Sequence, residues 1–513
     1  MKIRKRKNSS GTYSIQIYKK EGNKSIHIKT IGSSSDPYEI SRFYEEGLQY
    51  IEHCRQQLAL PLKSEKTEEW FNTTANSIQK VLLLGPQLIL SKIYDEVGFN
   101  RIPEDLLKQL IISRIIHPGS KLQTARYLQA YRGEYIDVHQ IYRYMDKIHT
   151  MYKKDIERIS YEHTKAIIGE ITVVFYDVTT IYFEASKEDE LRIAGFSKDG
   201  KHKHPQIILG LLVSYDGYPL AYNIYKGNTY EGDTLIPIIH SFEKRFGIEK
   251  LMVIADSGLL SKKNLRTLEE EEYEFIIGAR IKNESKTIKD KILEQDYSDG
   301  KYVVIEKSPS YRLIVQYSSK RAKKDKKNRE KGMKRLEKLL KAGKLTKAHI
   351  NNRGYNKYLQ LNGEISITID YKKYDNDKRW DGLKGYITNA NLPIDEVIKN
   401  YKELWKIERA FRISKTDLRV RPIYHRLQKR IETHICISFA AYKIYRELER
   451  KLKLANREIT VEKAIELMKT IYGIELKNPI NQERRQMLFT TNHDQDVLLL
   501  QLKIFDIQQG WLE

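Results

Sequence analysis

The chain has 513 residues, more than one hydrophobic core usually holds, so we expect several domains. It carries 91 Lys and Arg against 68 Asp and Glu, and its net charge of +23 suits a polyanionic partner such as nucleic acid. Its two cysteines exclude a disulfide framework and a cysteine-based zinc site. The longest apolar run, residues 81–90, is too short to span a bilayer, and no apolar segment follows the basic start. These features predict a soluble, cytoplasmic protein.

Residues 1–70 predict a basic arm, a β-hairpin and a polar helix. Basic side chains cluster at residues 2–7, and the alternating segments YSIQIY and SIHIKTI are joined by EGNK. Such an arm and ribbon can lie on DNA, although an ordinary small sheet fits the pattern equally well.

Residues 71–165 predict a helical domain. EDLLKQLIISRII forms one helix, and Ser120 and Asp137 cap the helices KLQTARYLQAY and VHQIYRYMDKI. Two short helices around a glycine-containing turn resemble a DNA-binding helix-turn-helix, although many helical domains share this pattern. The second helix would then offer base contacts from Gln140, Arg143 and Lys147.

Residues 166–280 predict the first part of an α/β core. ITVVFYDVTTIYFE is a strand that carries Asp177, and two more strands surround the turn at Asp216 and Gly217. A helix, the strand LMVIAD ending in Asp256, the helix SKKNLRTLEEEE and the strand YEFIIGAR follow. Three strands, helix, strand, helix, strand predict a mixed sheet flanked by helices.

Residues 281–390 predict an α+β insertion into that core. Its β segments surround the very basic helix KRAKKDKKNREKGMKRLEKLLKAGK, which has a narrow apolar stripe. A solvated face and contact with phosphates are both consistent with so basic a helix.

Residues 391–450 predict the second part of the core, and residues 451–513 a tail that can serve multimerisation. No Gly or Pro interrupts residues 394–421, so YKELWKIERAFRISKTDLRVRPIYH predicts one helix ending near Pro422, with Trp405 on its apolar side. Seven-residue spacing places Tyr401, Glu408 and Lys415 on one face of that helix, with Arg412 one turn beyond Glu408. Such a face can hold a metal ion and phosphates, and a solvated charged face is the alternative.

Three acids thus stand at Asp177, Asp256 and Glu408. Acids at strand ends lie at the edge of an α/β sheet where ligands usually bind. Carboxylates suit Mg²⁺ or Mn²⁺, and two such ions about 4 Å apart promote an in-line displacement at phosphorus. A single acid of this kind is more often a cap or a turn residue, but three in this order favour a catalytic site.

From about Tyr176 to Tyr442 the chain resembles the insertion-sequence transposases with a ribonuclease H-like DDE core and a β-rich insertion before the last acid. The resemblance rests on YDVTTIYFE, GFSKDGKHKHPQIILGLLVSYDGYPL, GNTYEGDT, VIADSGLLS, FIIGAR and the segment 401–425. The last segment matches the signature Tyr-x2-Arg-x3-Glu-x6-Lys except at Leu404, which replaces the arginine. The missing cation would then come from Lys402, Lys406 or Arg412.

The resemblance implies that Asp177, Asp256 and Glu408 carry two Mg²⁺ ions, for which Mn²⁺ can substitute. It implies contacts with DNA phosphates from Tyr401, Lys415, Arg412 and Lys406. It also implies cleavage at inverted-repeat ends, joining of the 3′-hydroxyl to target DNA, and a homodimer that pairs two ends. Trp380 is the candidate for stacking on a flipped base, but its place near the return strand of the core favours core packing.

Two other functions remain open at this point. A metal-dependent, structure-specific DNA nuclease can use the same core and would cut without joining. A sequence-specific DNA-binding protein derived from a transposase would have lost catalysis, and Leu404 is the feature that favours it.

Overall fold

The structure is a computed structural model that describes every residue except 23, 59–72, 74, 186, 198–199, 202, 249–250, 352–353, 363–365, 456–458, 479–480, 503–510 and 513. The described chain divides into two units, the first of residues 1–80 and 474–487 and the second of residues 81–473 and 488–512. None of the helices that the structure describes has the length and apolarity of a membrane span.

The first unit contains a three-stranded antiparallel sheet in the order β1-β2-β3, with β1 Lys2–Lys7, β2 Tyr13–Glu21 and β3 Lys24–Ser34. The segment predicted to be a basic arm is therefore strand β1, and that part of the prediction is wrong. The physical reason is pairing: β1 forms a full ladder with β2, and the Lys5 ammonium lies 4.3 Å from the centre of the Tyr13 ring. Helix α1, Pro37–Leu58, packs on the sheet, and the rest of the helix predicted to residue 70 lies outside the described residues.

The N-terminal part of the second unit is helical, as predicted. Strand β4, Ile78–Leu83, begins within the residues of the first unit, and the helices that follow are α2 Gly85–Val97, α3 Asp105–Ile116, α4 Lys121–Arg132, α5 Val138–Lys147 and α6 Lys153–Ile168. Both predicted caps are confirmed, because Ser120 and Asp137 each form a capping box, with Gln123 and Gln140 respectively.

The core sheet follows in the predicted order. Its elements are β5 Val173–Tyr182, β6 Gln206–Ser214, β7 Pro219–Lys226, α7 Leu235–Phe246, β8 Met252–Ala255, α8 Lys262–Glu270 and β9 Glu274–Ala279. Strands β5, β6 and β7 form an antiparallel meander, whereas β5, β8 and β9 are parallel. This mixed arrangement flanked by helices is the predicted ribonuclease H-like fold.

The sheet continues into the segment predicted to be the insertion. Its further elements are α9 Lys286–Leu293, β10 Tyr302–Glu306, β11 Arg312–Tyr317, α10 Ser319–Lys341, β12 Leu359–Asn362, β13 Ser366–Ile369, α11 Tyr371–Lys378 and β14 Leu383–Thr388. Strands β14, β11 and β10 add antiparallel to β9, giving eight strands in the order β10-β11-β14-β9-β8-β5-β6-β7. The basic helix α10 instead packs by Met333 and Leu336 against a small separate cluster.

The segment predicted to form one helix over 394–421 contains two helices, α12 Ile394–Lys402 and α13 Trp405–Thr416, and the prediction is wrong in this respect. The chain turns tightly between them, where the Leu404 N–H donates to the Tyr401 carbonyl three residues earlier. The buried helix predicted next is confirmed as α14, Gln428–Leu454, on which α2, α3, α5 and α6 pack. The last elements are α15 Val461–Met468, β15 Tyr472–Lys477, β16 Arg484–Phe489, α16 His493–Gln501 and β17 Trp511–Leu512.

Candidate active site

Two of the predicted acids lie side by side on neighbouring parallel strands. Tyr176 of β5 is the register partner of Ala255 of β8, and the next residues are Asp177 and Asp256. Because adjacent strands run about 4.8 Å apart, the two aspartates lie level where β8 ends. Asp177 is half-buried within β5, whereas Asp256 is exposed and its Oδ1 accepts the Ser257 N–H at 2.6 Å.

The third acid lines a cavity together with the second. Glu408 is exposed in the first turn of α13, a helix that packs on β5. A cavity of about 470 Å³ is lined by both Asp256 and Glu408, together with Tyr401 from the end of α12. The tight turn after residue 402 separates the Tyr401 helix from the Glu408 helix, yet both side chains reach the same space.

Tyr401 is bound directly to one of the acids. Its hydroxyl donates to Oδ1 of Asp256 at 3.3 Å, and its ring packs edge-on against Tyr386 with centroids 4.8 Å apart. Burial and the Asp256 carboxylate raise the pKa of Tyr401 well above its usual range, so the hydroxyl stays protonated and remains a donor. Gly278 of β9 lies beneath that hydroxyl, and a Cβ there would overlap it. Glycine at this position is therefore what admits Tyr401 to the site.

Three cations line the cavity, at Arg321, Lys384 and Lys402. Lys402 is one of the residues expected to replace the signature arginine, whereas Arg321 and Lys384 are not predicted from the sequence. The Lys384 ammonium lies 5.0 Å from the centre of the Tyr401 ring. Burial lowers the pKa of Lys384 and the nearby Arg321 lowers it further, while Asp256 and Glu408 oppose the change. Only weak features of the sequence could have identified Lys384 and Arg321 as site residues. Lys384 shares one face of β14 with Tyr386, and Arg321 lies at the start of the predicted basic helix.

The predicted phosphate contacts are distributed unevenly around the cavity. Lys406 points elsewhere, because its ammonium pairs with Glu403 at 2.9 Å and donates to the Tyr215 carbonyl at 2.8 Å. Arg412 is exposed one turn beyond Glu408, and Lys415 is half-buried near the end of α13. Neither of these two lines the cavity.

The turn between α12 and α13 determines where the side chains of Leu404 and Trp405 lie. Leu404, the departure from the family signature, is buried and lines the cavity wall. Trp405 was predicted on an apolar face, but its side chain is 49% exposed and lines the same cavity. The helix break rotates this residue away from the core.

The predicted base contacts on α5 lie on one exposed face, at Gln140, Arg143 and Lys147. Gln140 Oε1 accepts the Asp137 N–H at 3.1 Å as part of the helix cap, and Lys147 pairs with Glu104. Trp380 is half-buried: it packs against the core and lines a second cavity of about 490 Å³ beside the first.

The carboxylates supply the oxygen donors that a hard divalent cation prefers. Within the part of the chain that the structure describes, no three Asp, Glu, His or Cys side chains are already arranged to hold a metal ion. The three carboxylates thus have the right chemistry for a divalent cation, although they are not arranged around one metal position. Asp177 and Asp256 lie level on adjacent strands, and Asp256 and Glu408 line one cavity.

Comparison with solved structures finds transposases at low similarity. A piggyBac transposase synaptic complex with hairpin DNA is 7% identical, with a TM-score of 0.39 over 75% of this chain and 76% of that chain. A Mos1 transposase paired-end complex with the left transposon end is 13% identical, with a TM-score of 0.16 over 31% of this chain and 53% of that chain. A pre-cleavage Mos1 transpososome is likewise 13% identical, with a TM-score of 0.16 over 34% and 58%. No curated protein matches the chain.

A family model settles the relationship. The model described as the transposase DDE domain matches residues 168–444, which is more than half of the chain and includes all three acids. Members of this family generally use divalent metal ions. The chain therefore belongs to the family of transposases with a DDE domain and is a DNA transposase.

Proposed function

We propose that this transposase binds the inverted-repeat ends of an insertion sequence, cleaves the DNA there and joins the freed 3′-hydroxyl to target DNA. Its catalytic residues are Asp177, Asp256 and Glu408. The observation that carries the proposal is the register of β5 and β8, which puts Asp177 level with Asp256, and Asp256 lines a cavity together with Glu408.

The three carboxylates would hold two Mg²⁺ ions, with Mn²⁺ able to substitute. When bound, such ions activate an attacking oxygen and stabilise the leaving oxygen of an in-line displacement. One set of carboxylates serves cleavage and joining, because each step is a phosphoryl transfer to an oxygen nucleophile.

The other side chains of the cavity hold and orient the DNA. Tyr401 and the Ser257 N–H both donate to Oδ1 of Asp256 and so fix that carboxylate. Lys384, Arg321 and Lys402 give the cavity positive charge for the phosphates that flank the scissile bond. Lys415, Arg412 and Lys406 contact phosphates further along the strand, and Lys406 leaves Glu403 to do so.

The cations of the cavity can replace the arginine of the family signature, where this chain has Leu404. An arginine is missing from the signature, but Arg321 and Lys384 reach the same cavity from α10 and β14. The charge that the arginine would supply is thus retained, which favours a catalytic protein over an inactive DNA-binding derivative.

The remaining assignments follow the charge of the chain. Residues 1–70 and 71–165 contact double-stranded DNA, with Gln140, Arg143 and Lys147 reading bases and Trp380 stacking on a flipped base. The protein acts as a homodimer that pairs two ends, with residues 451–513 in multimerisation, and it works on the prokaryotic nucleoid. A net charge of +23 supports a DNA partner through release of counterions.

The test uses the DNA that flanks the gene as an end-labelled duplex. Asp177→Asn, Asp256→Asn and Glu408→Gln keep the shape of each side chain and remove its charge, and each is expected to reduce cleavage at least 100-fold while DNA binding persists. Asp299→Asn is the matched control: Asp299 lines the same cavity, but its Oδ1 caps α10 by accepting the Ser319 N–H at 2.6 Å. Cleavage that survives in any of the three variants removes that acid from the catalytic set, and cut products without joined products identify a nuclease.

A further inference from the structure

A third cavity, of about 300 Å³, lies away from the acids. Its walls are the turn between α3 and α4, part of α5 and α14, and the segment 419–425 that follows α13. We call it the Arg114 pocket. Four of the described side chains that line it are cationic and none is acidic; the cations are Arg114, Lys121, Arg419 and Arg421.

Two of these cations are buried without compensation. Arg114 is 4% exposed and Lys121 is 3% exposed. Among the residues that the structure describes, neither side chain forms an ion pair or a hydrogen bond. Burial lowers the pKa of Arg114 to about 10, so its guanidinium is still charged at neutral pH. Burial, and then the neighbouring Arg114, lower the pKa of Lys121 well below its usual range. Isolated buried charges are costly, which makes two together a strong indication of a ligand.

Other buried cations of this chain show the contrast. Arg329, which is 6% exposed, pairs with Asp381 at 2.5 Å. Lys443 is fully buried, donates to the Thr164 hydroxyl and lies 4.2 Å from the centre of the Tyr218 ring. Arg329 and Lys443 thus have partners within the chain. Arg114 and Lys121 have none among the described residues.

The remaining walls add donors but no negative charge. His434 donates from Nε2 to the Val420 carbonyl at 2.9 Å, which holds the segment 419–425 in place. Burial and the charges of Lys121 and Arg114 lower the pKa of His425 to about 3, so this imidazole is neutral at physiological pH. The N-terminus of α4, a helix of 12 residues capped by Ser120, also opens on the pocket. A helix N-terminus favours an anion, in agreement with the two buried cations.

We propose that the Arg114 pocket binds a phosphate of the DNA backbone, an inference that rests on the proposed function. Phosphate is the anion for which a guanidinium fork and an ammonium together are suited. The pocket is also placed to reach the same duplex as the acids. Ile423 forms a parallel bridge with Phe183, six residues beyond Asp177, and six strand residues span about 20 Å. That distance corresponds to roughly six phosphates along one DNA strand.

The experiment uses the full chain and two probes, inorganic phosphate and a labelled duplex of an element end. Lys121→Met removes the charge and keeps the length of the side chain, and Arg114→Met repeats the test from a second position if Lys121→Met does not fold. Lys443→Met is the matched control, since it removes an equally buried lysine that has partners. Melting temperature is measured in chloride and in phosphate at equal ionic strength, and duplex affinity is measured across a salt series.

The wild type is expected to melt at a higher temperature in phosphate than in chloride. Lys121→Met should melt higher than the wild type in chloride, because a buried amino group without a described partner is replaced by an apolar side chain, and should lose the response to phosphate. Its duplex affinity should fall about tenfold, with the slope of log affinity against log salt smaller by about one. Lys443→Met should melt lower while keeping the phosphate response and the salt slope.

Three results overturn the proposal. The first is a Lys121→Met variant that keeps both the phosphate response and the wild-type salt slope. The second is a lost phosphate response with an unchanged salt slope, which assigns the pocket to free phosphate or to an acidic side chain of another copy. The third is a wild-type protein that binds no duplex. This last result refutes the proposed function as well, while the phosphate measurement still reports whether the pocket takes an anion.

Discussion

The hydrogen bond from Tyr401 to Asp256 gives a prediction whose size follows from the structure. Tyr401→Phe removes the donor but keeps the ring, which packs on Tyr386, so melting temperature should change little. A hydrogen bond to a charged acceptor contributes about 1.5–3 kcal/mol, and at 3.3 Å this one belongs near the lower end. About 1.5 kcal/mol corresponds to a roughly tenfold slower cleavage step.

Gly278→Ala should disturb the same hydrogen bond from the opposite side. The added methyl group would overlap the Tyr401 hydroxyl and lie 3.0 Å from the Ser257 nitrogen, so the ring must shift away from Asp256. Its cleavage rate should therefore fall at least as far as that of Tyr401→Phe. In the double variant the overlapping oxygen is gone, and the rate should resemble that of Tyr401→Phe alone. The coupling between the two changes is then about 1.5 kcal/mol.

Single-turnover cleavage of an end-labelled duplex measures these rates, and thermal melting checks the fold. Tyr386→Phe is the control, because it removes a neighbouring hydroxyl that lines the same cavity but does not bond Asp256. A Tyr401→Phe enzyme that cleaves at the wild-type rate would show that the hydrogen bond has no role in catalysis. Losses that multiply in the double variant would refute the steric link between Gly278 and the hydroxyl.

Three further predictions concern charge. Lys384→Met should slow cleavage about tenfold. Because burial and Arg321 lower the pKa of Lys384, wild-type activity should decline at a lower pH than it would with an ordinary lysine. Cleavage rates of both proteins between pH 7 and 10 test this, and identical pH profiles for the two would contradict it. Asp377→Asn should cost about 2 kcal/mol of stability at neutral pH. Burial raises the pKa of Asp377, but hydrogen bonds from Lys357, Tyr358 and Lys282 outweigh the effect of burial and lower the pKa to about 2. The folded pKa lies below the unfolded value of 3.8, so this stability is present above about pH 4 and is lost as the pH falls towards 2; unfolding curves should converge there, and a difference that persists in acid would refute the linkage. Chelation of divalent cations should abolish cleavage and spare duplex binding, whereas cleavage in excess chelator would exclude the proposed role of the carboxylates.

Local signals in the sequence predicted much of the fold. The caps Ser120 and Asp137 and the strand carrying Asp177 are encoded by short-range patterns, and each was predicted correctly. The alternation of strands and helices after residue 171 was sufficient to place Asp177 on the first core strand and Asp256 at the end of a later one, and the structure shows that these two strands are neighbours. Register then places them level, which follows from the length of each strand before its acid.

The features that the sequence did not predict depend on tertiary contacts. No Gly or Pro marks the turn at Leu404, where hydrogen bonds between residues three apart replace the four-residue spacing of the helix and Trp405 is exposed. Strands β10, β11 and β14 lie in the segment 281–390 predicted as an insertion, and no local pattern predicts that their pairing extends the core sheet. Lys384 and the Arg114 pocket are assembled from segments far apart in the chain, so no spacing pattern identifies them.

The proposed function requires that Asp256 belongs to a site that both cuts and joins DNA. The most direct measurement incubates the labelled element end and a target plasmid with Mg²⁺ and either the wild type or Asp256→Asn, then sequences the products. We expect joined products with a short target duplication from the wild type, and bound but uncut DNA from the variant. Joined products in equal yield from Asp256→Asn would contradict it.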